Sequence, residues 1–280
     1  MHAASRVRYC APVDLANLSV EILGGAIVGV SLGLMGAGGA ILSMPIFTLM
    51  LGHGMGVAKF ESLAVTGAIA AFSGVRAARA GSVDYLRFAA FALPGIAGAL
   101  AGGVIGKQLT PMVQAGIFAA FALISAWRMV FAKQPSDAAA SEPSRMGLRT
   151  IALAAITGFL VGVLTGVIGV GGGFLLVPAL VLISGLPMKR AAGTSLLVIA
   201  ANCVFGLVSN ALNSDHIFDR VAWEPVGIIA GCGIAGSVVG AHFASRIPVV
   251  LLRKLFAAML VLVAIGVVLN EAGVFRRAAS

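Results

Sequence analysis

The chain has 280 residues, of which 60% are hydrophobic and only 10% charged, with 19 Lys and Arg against 10 Asp and Glu for a formal net charge of +9. A soluble domain carries about 25% charged residues, and so few charges cannot cover a water-facing surface. A water-soluble enzyme and a disordered chain are excluded, and a polytopic membrane protein remains.

Residues 1–17 are mixed and polar and lack the apolar stretch of a cleaved signal peptide, so the first apolar run is expected to stay in the mature protein. Apolar segments follow at 18–35, 39–51, 62–75, 85–105 and 112–132. A polar stretch with Pro and Ser occupies 133–149, and further apolar segments fall at 150–168, 173–185, 191–209, 223–243 and 250–270. Most are long enough to cross a bilayer. The segments at 39–51 and 173–185 are not: at 1.5 Å per residue each reaches about 20 Å, against a hydrocarbon core of ~30 Å. The expected fold is all-α and polytopic, with about 8–10 helical segments, two of them broken or re-entrant.

The polar stretch separates two copies of one unit, a first membrane repeat at 18–132 and a second at 150–270, joined by the linker 133–149. Gly29, Gly33, Gly36, Gly38, Gly39 and Pro45 match Gly162, Gly166, Gly169, Gly171, Gly172 and Pro178 at a constant offset of 133. The same offset pairs Ser62 with Ser195. After a short insertion the offset becomes 138 and pairs Gly95, Gly98 and Gly102 with Gly233, Gly236 and Gly240. A fixed register of this length marks an internal repeat. Each copy holds an odd number of segments, so the second is expected to enter the membrane from the opposite side. Charge agrees: Arg76, Arg79, Arg87, Lys189 and Arg190 fall on the side of the central linker, and Asp215, Asp219 and Glu224 on the other. Basic loops are cytoplasmic, so two inverted repeats with the linker inside are expected.

The 37 glycines are about twice the usual share. Those at Gly24, Gly29, Gly95, Gly98, Gly102, Gly233, Gly236 and Gly240 are read as close helix packing. The clusters GLMGAGGAILSMP at 33–45 and GVIGVGGGFLLVP at 166–178 each stand between a long apolar segment and a short one. Glycine and proline there predict a helix break. Irregular backbone at membrane depth survives only when buried in protein or lining a cavity. Matched interrupted segments in two halves point to a transporter's binding site, and helix N-termini there attract anions. The candidate substrate-binding residues are Gly36, Gly38, Gly39, Gly169, Gly171, Gly172 and Gly173, joined by Ser62, Thr194 and Ser195 from the segments that follow. Hydroxyls suit an anion that must bind and then leave. The alternative for them is a hydrogen bond back to their own helix, which is the preferred account of Thr66.

Other chemistry finds little support. Glu21, Lys59, Glu61 and Glu224 fall near segment ends, where snorkelling or solvation accounts for them, and His53 and His242 have no evident carboxylate partner. The dinucleotide and phosphate-loop patterns are both incomplete. Cys10, Cys203 and Cys232 form no metal-binding spacing and imply no disulfide framework. No enzyme, cofactor or metal is indicated, and no basic stripe with interleaved aromatics speaks for nucleic acid.

At the doubled clusters, with GTSL at 193–196 and the whole duplicated layout, the chain resembles the TauE/SafE family of sulfite exporter-like permeases. The first copy departs from the pattern, with FESL at 60–63 in place of GTSL, so the halves need not contribute equally. The resemblance implies a multi-pass transporter of the inner membrane for a small sulfur-containing or organic anion, such as sulfite or a sulfonate. Alternating access around a midplane site is the expected mechanism. A passive anion channel and a non-transporting scaffold subunit are the alternatives. The expected partners are a small anionic substrate and the lipid bilayer. A homo-oligomer is compatible with the sequence but not specified by it.

Overall fold

A computed structural model describes residues 15–36, 39–131, 147–169, 173–182, 184–212, 217–244 and 246, with scattered positions between 251 and 266. In chain order the helices are α1 (Leu15–Met35), α2 (Gly39–Pro45), α3 (Met55–Arg79), α4 (Tyr85–Gln108), α5 (Pro111–Phe131), α6 (Leu148–Ile168), α7 (Gly173–Leu182), α8 (Met188–Leu212), the short α9 (Ile217–Arg220) and α10 (Trp223–Ala244). A π-helical turn, Ile46–Met50, continues α2 directly after Pro45. All regular structure among the described residues is helical. In lipid a chain segment must satisfy its own backbone hydrogen bonds, which a helix does. Five of these helices, α1, α4, α6, α8 and α10, are long and apolar enough to cross a membrane.

Two helices outrun their apolar segments. α3 and α8 have 25 residues each, because their polar first turns, around Lys59 to Ser62 and Lys189 to Ser195, stay helical instead of forming loops. These are the turns that carry most of the candidate chemistry. The last apolar segment, 250–270, lies largely outside the described residues.

The most extensive packing joins α4 to α6 and α1 to α10, followed by α3 against α8. The two leading interfaces are built from sequence-matched glycines. A Cβ at Gly29 would lie 1.9 Å from the Gly233 carbonyl oxygen, and one at Gly162 would lie 2.0 Å from that of Gly95. Gly33 meets Ser237 O at 2.2 Å as Gly166 meets Ala99 O at 2.3 Å, and Gly98 meets Phe159 O at 2.1 Å as Gly236 meets Ala26 O at 2.7 Å. Offsets of 133 and 138 convert each α1–α10 contact into an α6–α4 contact. Lipid tails are as apolar as Leu, so helices gain nothing by hiding apolar side chains from them; backbones approaching over small residues gain dispersion contacts instead. Many large apolar side chains of these helices accordingly point out, among them Leu23, Leu93, Phe159 and Val239.

α1 ends at Gly36, beside the start of α8 and the last turns of α3. α6 ends at Gly169, beside Lys59 in the second turn of α3. These two points are separated by most of the length of α3, about 30 Å at 1.5 Å per residue.

Candidate functional site

Both predicted breaks are present. Gly36 has φ +72° and Gly169 φ +77°, the left-handed region in which glycine stops a helix without a Cβ penalty. The Gly36 N–H bonds to Leu32 O at 2.8 Å and the Gly169 N–H to Thr165 O at 2.9 Å. Glycine is required at each for a second reason: a Cβ would fall 2.5 Å from Ala192 Cα at Gly36 and 2.6 Å from Lys59 Cβ at Gly169. Ala192 and Lys59 are themselves a matched pair at offset 133. Each break is therefore seated on the opening turns of a long helix in the opposite half.

The two breaks are fastened differently. Ser195 Oγ donates to Gly36 O at 2.9 Å and also lies 2.8 Å from Ala192 O on its own helix. The Lys59 ammonium donates to Val167 O at 2.9 Å and to Gln114 Oε1. Gln114 is in turn fixed by its amide, which donates to Gly106 O at 2.8 Å and Leu109 O at 2.9 Å. A cation at the C-terminal end of α6 complements the exposed carbonyls and the helix dipole.

Ser62 does not repeat the role of Ser195. It lies 2.7 Å from Ser43 Oγ on α2, which is also 2.9 Å from Thr66 Oγ1. Ser43 donates its one proton to Ala40 O at 2.9 Å, so Ser62 and Thr66 donate to it. This buried cluster ties the short arm α2 to α3. Thr66, expected to bond within its own helix, belongs to it. Thr194 accepts from the backbone N–H of Asp84 at 3.0 Å, at the start of α4. Gly39 opens α2, packed 2.0 Å from Val28 O by its missing Cβ, and Gly173 opens α7 in a buried position. Gly38, Gly171 and Gly172 lie outside the described residues.

A cavity of about 510 Å³ opens at the first break. Gly36, Ser73, Arg76, Ser82, Lys189 and Gly193 line it, with the last turns of α10. Two cations and two hydroxyls thus converge on a break in an otherwise apolar wall. Arg76 and Lys189 were legible in the sequence only as sidedness charges; nothing in their spacing indicated a shared cavity. Ser43 was also missed, since a serine within an apolar run gives no signal until α2 folds back on α3.

The opposite end corrects an expectation. Glu61 is fully buried, not solvated at an interface, and His53 Nδ1 lies 2.6 Å from its Oε2. Its other oxygen accepts from the Ala222 N–H at 2.9 Å. Glu21 is also buried, at 7% exposure. Among the described residues no group of three or more His, Cys, Asp or Glu is placed to hold a metal ion.

Midway along α8, Asn202 is fully buried against Gly95 of α4, and neither its Oδ1 nor its Nδ2 has a hydrogen-bond partner among the described residues. Its repeat counterpart on α3 is Ile69, packed against Gly233.

The family model described as "Sulfite exporter TauE/SafE" matches residues 21–267. The chain is 31% identical over 262 residues to a "Probable membrane transporter protein" of Xylella fastidiosa (strain Temecula1), covering 91% of this chain and 97% of that one. It is 28% identical over 232 residues to the "Probable membrane transporter protein YdhB" of Bacillus subtilis, covering 81% and 91%. A "Probable membrane transporter protein" of Haemophilus influenzae is 24% identical over 267 residues, covering 89% and 97%. No solved structure matches significantly.

Proposed function

The chain belongs to the sulfite exporter TauE/SafE family, a family of multi-pass membrane transporters, and on that premise we propose that it is an inner-membrane permease for a small sulfur-containing or organic anion, working by alternating access between two inverted repeats. The observation that carries this reading is the cationic cavity at Gly36, set against a second, matched break at Gly169 that is packed onto Lys59. An anion entering the cavity meets Arg76 and Lys189 first and then the break held by Ser195. At the other break Lys59 packs against Gly169 and donates to Val167 O. On this reading the cavity at Gly36 is the open access route. The interchange of matched contacts between α1–α10 and α4–α6, with the breaks at opposite ends of α3, supports the inverted arrangement.

Sidedness follows from charge. Arg76, Arg79, Arg87, Lys189 and Arg190 gather at the cavity end, which the positive-inside rule makes cytoplasmic. The open cavity is then the inward-facing entrance. Substrate retention needs hydroxyls and breaks that can exchange partners, and Ser62, Thr194 and Ser195 each sit at a junction between elements.

Counterflow in proteoliposomes tests the proposal, with [35S]sulfite and [14C]methanesulfonate as probes. Saturable exchange of internal unlabelled for external labelled anion is expected, and it separates a carrier from a passive channel. Arg76→Gln with Lys189→Gln is expected to raise the half-saturating concentration at least tenfold. Ser195→Ala is expected to slow exchange severalfold. Exchange unaltered in all of these, with normally inserted protein, would remove the site assignment.

A further inference from the structure

The two halves make the same structural hydrogen bond with different chemistry. In one, the backbone N–H of Asp84, at the start of α4, donates to Thr194 Oγ1 at 3.0 Å. In the other, the N–H of Ala222, at the start of α10, donates to Glu61 Oε1 at 2.9 Å. Thr194 and Glu61 are matched at offset 133, and Asp84 and Ala222 at offset 138. A neutral hydroxyl is enough for this bond. Glu61 adds a carboxylate with no exposure to solvent, and its second oxygen is taken by His53 Nδ1 at 2.6 Å. His53 follows the π turn of the short arm, its ring 5.9 Å from that of Phe47. The counterparts of His53 and Glu21 in the second half are Leu186 and Ala154. The ionisable set thus occupies one half and one end of an otherwise repeated scaffold. A buried ion pair is a weak source of stability, because desolvation offsets its attraction, and the matched threonine makes the same hydrogen bond without a charge.

We propose that the His53–Glu61 pair is the proton-binding site that couples anion transport to a pH gradient. The inference rests on the transporter reading above. Imidazole is the side chain that changes charge in the physiological range. With one proton bound the pair is neutral overall, and without it the pair carries −1. Among the described residues, the other charged groups at this end are Glu21 of α1 and Glu224 of α10, both acidic, with Asp219 and Arg220 of α9. Lys59 on α3 is directed instead to Gln114 and Val167. The pair joins three elements. His53 belongs to the arm that carries the Gly36 break and Ser43, Glu61 to α3, and Ala222 to α10. Loss of the proton leaves a net negative charge beside two further acids and loosens the arm from α3. A proton moving with an anion also offsets the anion's charge in the low-dielectric interior.

Purified full-length protein in proteoliposomes tests this with two readouts, exchange at equal pH and net accumulation driven by an imposed pH difference. The probes are [35S]sulfite and [14C]methanesulfonate; the sulfonate stays ionised across the range used, so its pH response comes from the protein. The variants are His53→Gln, Glu61→Gln and Glu61→Thr, the last keeping an acceptor for Ala222 as Thr194 provides for Asp84. Wild-type protein is expected to do both, and the variants to lose accumulation at least tenfold while exchange persists. Variants that accumulate like wild type overturn the proton site, as do variants that stay folded yet lose exchange equally. Wild-type exchange with no response to the pH gradient overturns the proton site alone and leaves the transporter reading standing. Wild-type protein with neither activity defeats the transporter reading, and the proton site falls with it.

Discussion

Asn202 places an amide in the buried middle of α8. Its amide is fully buried with no partner among the described residues, and an unpaired buried amide costs about 1–3 kcal/mol. Leu has nearly the same shape, so Asn202→Leu is expected to raise the midpoint of thermal unfolding in detergent, while an amide that serves the transport path would make the same variant slower in exchange. A lower midpoint would show that the amide is satisfied in the folded protein. The packing glycines give a second test at this scale. Gly162→Ala places a Cβ 2.0 Å from Gly95 O, and overpacking of this kind costs about 1–3 kcal/mol. Gly231→Ala, on the exposed side of α10 with nothing within 4 Å, is expected to be neutral or stabilising by up to about 1 kcal/mol through helix propensity. Equal effects of the two on the unfolding midpoint would contradict the close approach of α4 and α6.

The elements that matter most are the short ones. α2 with its π turn and α7 are joined to α1 and α6 through left-handed glycines. Two substitutions separate backbone conformation from contact. Gly185→Ala meets the same φ penalty at φ +63° with nothing within 4 Å, whereas Gly169→Ala also strikes Lys59. The left-handed region costs a residue with a Cβ about 1–2 kcal/mol, so both variants are expected to lose stability, Gly169→Ala more. Equal unfolding midpoints would mean that the break is not seated on α3. Ser43→Ala removes the acceptor shared by Ser62 and Thr66. At about 1 kcal/mol per net hydrogen bond, it is expected to lower the midpoint and to increase hydrogen exchange in α2 more than in α7.

For the whole molecule the decisive property is its two ends. Arg76, Lys189 and Ser82 meet at one; His53, Glu61 and Ala222 meet at the other. Single cysteines placed at Ala80 and Asp219, in protein otherwise lacking cysteine, are expected to react with a membrane-impermeant maleimide from opposite sides, Ala80 from the cytoplasm. Labelling of both from one side would refute the inverted arrangement. The charge difference between the ends also separates the two proposed roles: anions gather at the basic end, and the proton site stands at the acidic one.

The apolar segments, the all-α class and the two helix breaks were legible from residues alone, because hydrophobic length and glycine spacing are local properties and a bilayer forces each segment into a helix. The offsets read from the sequence also pair the close-packed glycines, since backbone approach admits no side chain, although Gly33, Gly162 and Gly166 pack as closely and were not read as packing positions. What the sequence could not supply was which side chains meet. His53 and Glu61 lie eight residues apart across a loop and a helix start, and only the return of the short arm onto α3 brings them together. Arg76 and Lys189 belong to different halves, and Lys59 reaches a carbonyl of α6 more than a hundred residues away. Hydrogen bonds and charges act over a few ångströms in space without regard to distance along the chain. The sequence therefore determined the elements and the breaks, and the tertiary structure alone decided which chemistry each break carries.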